Sequence, residues 1–442
     1  MNTELPADLL IQGATVMLPS GPTVTSVACR NGHIVAIGDE PFPAADTLDA
    51  TGLHLLPGVV DSQVHFREPG MTHKETLEAG TRGAVLGGVT SVFEMPNTQP
   101  LTLSAQDIAA KQRIAAQQAW CNYAFYMGGS AANAQQLATL ETFPGCSGVK
   151  VFMGSSFGDL LADDDAVLRR ILQNGRRRVA VHAEDEARLR SRRRLAEEAG
   201  HVTAHPVWRD VDSALLATKR VVTLAREVSR PLHVLHVSTA EEMAFLQHHK
   251  ALVSVEVLPQ HLTLCAPECY ERMGTLAQMN PPIREKRHQD ALWKAIEVGV
   301  VDVIGSDHAP HTREEKQRAY PNSPSGMTGT QTLLPLMLDH VNAGRLSLTR
   351  LVDLVCSGPA RLFGMVGKGR IAVGYDADLT LVDMQARQAV DDRKLASKSG
   401  WSAYDGMVLQ GWPVATVING RTVMRDGEVL GRPAGQALQF LP

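Results

Sequence analysis

No stretch of this 442-residue chain approaches the roughly 18–20 consecutive apolar residues that a membrane helix needs. The N-terminus, MNTELPADLLIQG, lacks the basic segment and apolar core of a secretory signal. The expectation is a cytoplasmic protein with no membrane association. Charge of one sign is also lacking: 43 Lys and Arg face 47 Asp and Glu, for a net charge of −4, which speaks against nucleic acid as a partner. Six cysteines, Cys29, Cys121, Cys146, Cys265, Cys269 and Cys356, are scattered and make no disulfide framework. Cys265 and Cys269 form a lone CxxxC with no second pair to complete a zinc site. There is no internal repeat and no low-complexity tract. No GxGxxG follows the first strand-like segment, which weakens a doubly wound dinucleotide-binding sheet, the runner-up fold. One local excess stands out: Arg176, Arg177 and Arg178, then Arg188, Arg190, Arg192, Arg193 and Arg194. The second group falls on a helix-like stretch rich in Glu and Ala and reads as a solvated face.

What is present divides into ends and middle. Residues 1–55 and 368–442 carry short strand-like runs separated by Asn-Gly and Asp-Gly turns. They predict one small β-sandwich domain assembled from both termini. Residues 56–367 alternate strand-like and helix-like segments. Eight candidate strands begin at Val59, Val89, Asn122, Gly148, Arg178, Leu232, Val253 and Val301. Alternation of this kind implies parallel strands, because each crossover needs a helix. Eight units over this length predict an α/β fold, a closed (β/α)₈ TIM-like barrel.

Catalytic groups in such a barrel lie at the C-terminal ends of its strands. The first strand runs out at Gln63-Val64-His65, the fourth carries Lys150, and the fifth ends at His182. The sixth reaches His236 and the eighth Asp307. A single histidine at a strand end is as often a satisfied core residue as a ligand. Five metal-competent groups at five strand ends are not explained by packing. Imidazole and carboxylate bind zinc and leave a position for water, whose pKa then falls from ~15.7 to about 7. Lys150 is the odd member. A buried lysine near a metal loses its proton and can take up CO₂ as an anionic carbamate; a plain lysine paired with an acid is the other reading.

The segments PGVVDSQVHFREPG, EMPNT, GVKVFMGSS, VHAEDE, LHVSTAEE, MNPPIR and GSDHAPHT resemble, in this order, the motifs of dihydroorotases of the amidohydrolase superfamily. Allantoinases and dihydropyrimidinases share the scaffold. They resemble the chain less at HFREPG, MPNT and DHAPH. The resemblance implies reversible closure of N-carbamoyl-L-aspartate to L-dihydroorotate in de novo pyrimidine biosynthesis. It implies that Lys150 is N6-carboxylated and bridges two Zn²⁺ ions, with cobalt and manganese also compatible. His65 and Asp307 would hold one metal, and His182 and His236 the other. Asp307 would also serve as general base and then general acid. Arg67 would pair with the substrate carboxylate, helped by Asn97 and His311, while Asn280 touches the ring edge. Residues 312–330 read as an active-site loop in which Ser325 and Gly326 offer their backbones. His308 would stand behind the ligands rather than among them.

One position departs from the family. Most members have His-x-His at the first strand, where this chain has Gln63-Val64-His65. A neutral amide is a weaker zinc ligand than imidazole. The expectation is one tightly held metal at His182, His236 and Lys150, and a weak or empty site at His65 and Asp307. The same departure raises two alternatives: a catalytically silent subunit that scaffolds a partner enzyme, or a hydrolase acting on another ring, of hydantoin or allantoin type. The substrate is a small molecule in the active readings, and a homo-oligomer is compatible with all of them.

Overall fold

The computed structural model describes residues 6–40, 42–154 and 160–442, so the last two residues of GVKVFMGSS lie outside the described residues. Five strands open the chain: β1 (Ala7–Leu18), β2 (Gly21–Arg30), β3 (His33–Ile37), β4 (Ala44–Asp49) and β5 (His54–Pro57). Eight more follow: β6 (Val59–Val64), β7 (Val89–Glu94), β8 (Asn122–Gly128), β9 (Cys146–Phe152), β10 (Val179–His182), β11 (Leu232–Val234), β12 (Val253–Val257) and β13 (Val303–Ile304). The last four are β14 (Leu379–Ala389), β15 (Val408–Ile418), β16 (Arg421–Arg425) and β17 (Glu428–Val429).

Strands β6 to β13 pair in sequence order, all parallel, as a single eight-stranded sheet. Its first and last members meet beyond β13: the His65 amide donates to the His308 carbonyl at 2.7 Å. The result is a nearly closed barrel, as the strand–helix alternation predicts. Every residue of β6 to β13 is buried, because helices cover the outer face and side chains fill the inner one. Strands β11 and β13 are shorter than the sequence runs imply. The chain turns out of the ladder near His236 and Asp307, both in left-handed conformations with φ of 40° and 44°.

Strands β1 to β5 and β14 to β17 share a second sheet, joined where β5 pairs antiparallel with β14 and parallel with β1. The sheet surrounds an apolar core of its own that includes Ile11, Val16, Val27, Leu48, Leu55, Leu379 and Val417. The turn residues Asn31, Asn419 and Asp426 take positive φ ahead of their glycines, which is what a tight hairpin turn requires. At the lower end of the barrel, the tail after β17 packs across the opening. The Tyr123 amide donates to the Gln436 carbonyl and the Leu438 amide to the Tyr123 carbonyl. Leu438 joins Phe93, Tyr126 and Phe363 in one cluster.

The arginine-rich stretch is only partly a solvated face. On the helix Glu186–Ala199, Arg190, Arg193 and Arg194 are exposed and pair one turn away with Glu186, Glu197 and Glu198. Arg177 and Arg178 instead turn inward. Arg177 donates to the Glu141 and Cys146 carbonyls and Arg178 to that of Leu232, which caps strand ends.

Candidate active site

The upper mouth of the barrel opens into a cavity of about 550 Å³. Its wall includes Gln63, His65, Arg67, Asn97, Lys150, His182, His236, Asn280, Asp307, His311, Ser325 and Gly326. All eleven residues that the sequence reading assigned to ligation, proton transfer or substrate contact are therefore brought to one place, and Gln63 stands with them. Arg67, His236 and Asp307 carry positive φ, the strained backbone that concentrates where side chains must be aimed.

The imidazoles are set up as neutral acceptors. Burial lowers the pKa of His65, His182 and His236, the last well below its ordinary value. Nε2 of His182 donates to the Glu184 carboxylate at 2.8 Å, which leaves Nδ1 with a bare lone pair facing the cavity. That Nδ1 stands 3.0 Å from Nε2 of His236. Two nitrogens on one tetrahedral zinc stand about 3.3 Å apart. Nδ1 of His65 is bonded to Oδ1 of Asn97 at 2.7 Å, so its bare Nε2 points at Oδ1 of Asp307, 3.2 Å away. A lone pair set against a carboxylate oxygen calls for a proton or a cation between them. Burial also draws the Lys150 amine down to about 7, although Asp307 and Glu256 favour its charged form. Its Nζ lies 4.5 Å from the centre of the Phe152 ring, and no described carboxylate forms an ion pair with it.

These donors fit a divalent cation in one particular way. Among the described residues, no three His, Cys, Asp or Glu side chains stand together closely enough to hold an ion. The third partner at the His182–His236 pair would have to come from Lys150, and an amine that is neutral near pH 7 is the form that takes up CO₂. On the other side, Gln63 does not present its carbonyl. Its Nε2 donates to Oδ1 of Asp307 at 3.0 Å, and its Oε1 is buried without a partner among the described residues.

Arg67 has a different environment. It is 7% exposed and has no ion-pair partner among the described residues. Nε donates to the Pro310 carbonyl at 3.1 Å. One amino group lies 3.2 Å from Nε2 of His311. Nδ1 of His311 faces the Lys74 ammonium at 3.1 Å, so its proton sits on Nε2, which donates to the Ser325 carbonyl at 3.1 Å. His311 therefore offers Arg67 no lone pair, and the guanidinium keeps N–H donors for a ligand. Burial lowers its pKa to about 10 despite the field of Asp307, Glu94, Glu315 and Glu75.

Two supporting groups, Glu184 and Arg209, escaped the sequence reading. Burial would raise the Glu184 pKa, but the Arg209 guanidinium and His182 hold it well below the carboxylate range. Glu184 at least stands inside the VHAEDE motif, whereas Arg209 follows a helix with no local signal. His308 lies behind the wall: Nδ1 accepts from the Gly329 amide at 3.0 Å and Nε2 faces Glu75 at 3.3 Å. Residues 312–330 are not loop throughout. Thr312 and Glu315 form a capping box on a short helix, Arg313–Lys316, and residues 321–326 line the cavity. Asn280 shares the Nε2 proton of His205 with the Met279 carbonyl, each at 3.0 Å.

The model of the Amidohydrolase family matches residues 54–423. An allantoinase of Deinococcus radiodurans is 33% identical over 445 residues, covering 98% of each chain. A dihydroorotase of Methanothermobacter thermautotrophicus is 30% identical over 411 residues, covering 92% of each. The solved structure of L-hydantoinase (dihydropyrimidinase) from Arthrobacter aurescens superposes with a TM-score of 0.93 at 30% identity, covering 98% of this chain and 99% of that one.

Proposed function

Because the chain belongs to the amidohydrolase family and its relatives open cyclic amides, we propose that it is a cyclic amide hydrolase for a ring bearing a carboxylate: a dihydroorotase. The reaction is the interconversion of L-dihydroorotate and N-carbamoyl-L-aspartate. The observation that carries this reading is Arg67, a buried guanidinium that faces the cavity with no ion-pair partner among the described residues. Burying a charge without a partner costs several kcal/mol. A ligand carboxylate would supply the missing half through paired hydrogen bonds. Hydantoin, allantoin and dihydrouracil have no carboxylate to offer.

His182, His236 and a carboxylated Lys150 would hold a divalent metal such as Zn²⁺, and His65 with Asp307 would frame a second, weaker position. A bound divalent ion would supply Lewis acidity at the ring carbonyl and lower the pKa of the attacking water. The remaining work belongs to side chains. Asp307 takes a proton from the attacking water and returns it to the departing ring nitrogen. Gln63 donates to Oδ1 of Asp307, which leaves the second carboxylate oxygen for the proton. Arg67, Asn97 and His311 hold the carboxylate end, and Asn280 with the backbone of Ser325 and Gly326 holds the ring.

A second reading, a ring of hydantoin or allantoin type, is favoured by the equal likeness to an allantoinase and an L-hydantoinase. Initial rates on L-dihydroorotate, dihydrouracil, hydantoin and allantoin separate the two. The proposal expects L-dihydroorotate to be turned over far faster than the other three. Equal or greater rates on an uncharged ring would overturn it.

A further inference from the structure

The loop over the cavity is held by a charge that takes no part in the chemistry above. Lys316 is fully buried, with no acidic partner among the described residues. Its Nζ donates to the carbonyls of Gln278 at 2.8 Å, Pro324 at 2.9 Å and Gly326 at 3.0 Å. Burial draws its pKa down to about 7, but three carbonyl acceptors use three N–H bonds, a number that only the ammonium form provides. The charge also lies over the indole of Trp401, 5.6 Å from the ring centre. That indole is itself buried and donates to the His311 carbonyl at 2.8 Å.

The Ser325 carbonyl, between the two loop carbonyls that Lys316 binds, accepts from His311. Three consecutive carbonyls, of Pro324, Ser325 and Gly326, are thus drawn to fixed donors. The Gly326 amide is fixed too, donating to the Gln278 carbonyl at 2.9 Å, and the Gln278 side chain donates to the Ser323 carbonyl at 2.8 Å. Gly326 has φ of 142°, and a Cβ there would stand 2.3 Å from the Ala309 carbonyl oxygen, so the segment has no other way to pass. Residues 321–326 face the cavity on the side of His311 and Arg67.

We infer that Lys316 is a positioning residue for the carboxylate end of the site. Its ammonium, braced by Trp401, fixes the 321–326 segment and His311 as one wall, and that wall sets selectivity for a ring carrying a carboxylate. The inference rests on the reading of Arg67 given above. Lys316 touches no substrate, so its loss should loosen recognition and spare the reacting atoms.

The test compares wild type with Lys316→Met and Lys316→Gln on L-dihydroorotate and on hydantoin, in the metal-replete enzyme. Lys316→Met should raise KM for L-dihydroorotate about tenfold while kcat stays within about threefold, as expected for lost charge-assisted hydrogen bonds at a distance from the chemistry. KM for hydantoin should not change, and Lys316→Gln, which keeps two N–H donors, should fall between. If Lys316→Met does not fold, Lys316→Gln alone decides, by the same selective rise in KM. Equal losses on both rings, or a fall in kcat at constant KM, would mean ordinary structural damage and would overturn the inference. Wild type that prefers hydantoin would overturn the functional reading first, and the role of Lys316 with it.

Discussion

Removing the Arg67 charge should separate function from stability. Arg67→Met keeps most of the apolar bulk of the side chain and deletes the guanidinium. On L-dihydroorotate the variant loses paired charge-assisted hydrogen bonds, a change of about 2–5 kcal/mol in kcat/KM, or about 30-fold to several thousand-fold. On hydantoin or dihydrouracil no such contact exists, so the rate should stay within about threefold. Stability should move the other way. Burial draws the Arg67 pKa from 12.5 to about 10, so the folded protein carries an opposed charge worth roughly 3 kcal/mol at every pH below that range. The variant gives up one hydrogen bond, to the Pro310 carbonyl, worth about 1–2 kcal/mol. The balance is a net gain of roughly 1–2 kcal/mol. Steady-state kinetics on both ring types, with guanidinium unfolding midpoints, measure all of this. A variant that loses both activities in parallel, or that unfolds at lower denaturant than wild type, would show that Arg67 serves the fold and not a ligand carboxylate.

Asp307→Asn should abolish nearly all turnover while metal bound through His182 and His236 persists; substantial activity in that variant, with metal content measured alongside, would refute the proton-transfer assignment. Gln63→His should tighten metal binding at the His65–Asp307 side, because imidazole replaces an amide whose N–H now points at Asp307. Titration of stripped protein checks this, and two equally tight sites in the unmodified chain would refute it. Acid should destabilise the fold through His205 and His233, with pKa values near about 3, and His261, near about 4, all lowered by burial. Their folded pKa values lie below the unfolded value of 6.5, so the stabilisation is complete above pH 6.5 and is lost as pH falls toward about 4 for His261 and about 3 for His205 and His233, at up to roughly 1.4 kcal/mol per histidine per pH unit. Unfolding midpoints that stay flat between pH 6.5 and 5 would contradict this.

The barrel was legible because its information is local. Each of β6 to β13 is an apolar run, and His65, His182, His236 and Asp307 sit at or just past the ends of such runs, which parallel order gathers on one side of the barrel. The two strands read too long, β11 and β13, stop where His236 and Asp307 turn left-handed, a backbone choice that no side-chain pattern announces. The wall of the site was less legible. Lys316 looks like one more charge in the polar run HTREEK, yet it is buried beneath Trp401, which arrives from the excursion between β14 and β15. Arg209 reaches Glu184 from beyond a separate helix. Such pairings depend on which distant segments meet, and composition does not encode that. The basic cluster shows the same limit. Arg177 and Arg178 satisfy carbonyls at the lower rim, while Arg190, Arg193 and Arg194 on the following helix remain in water.

The pairing of β5 with β14 bears on the order in which a nascent chain becomes structured. Strands β1 to β5 leave the ribosome first, but one edge of their sheet stays open until residues 379–389 have been made, after the entire barrel. During that interval the Leu55–Leu56 edge presents unpaired backbone and apolar side chains to whatever is nearby. A pause or truncation after the barrel would therefore leave a translation product with a formed barrel, a cavity wall still lacking Trp401, and a sheet edge prone to aggregation. Quality control during synthesis should act on the β5 edge, which waits for β14 after the other early strands have paired.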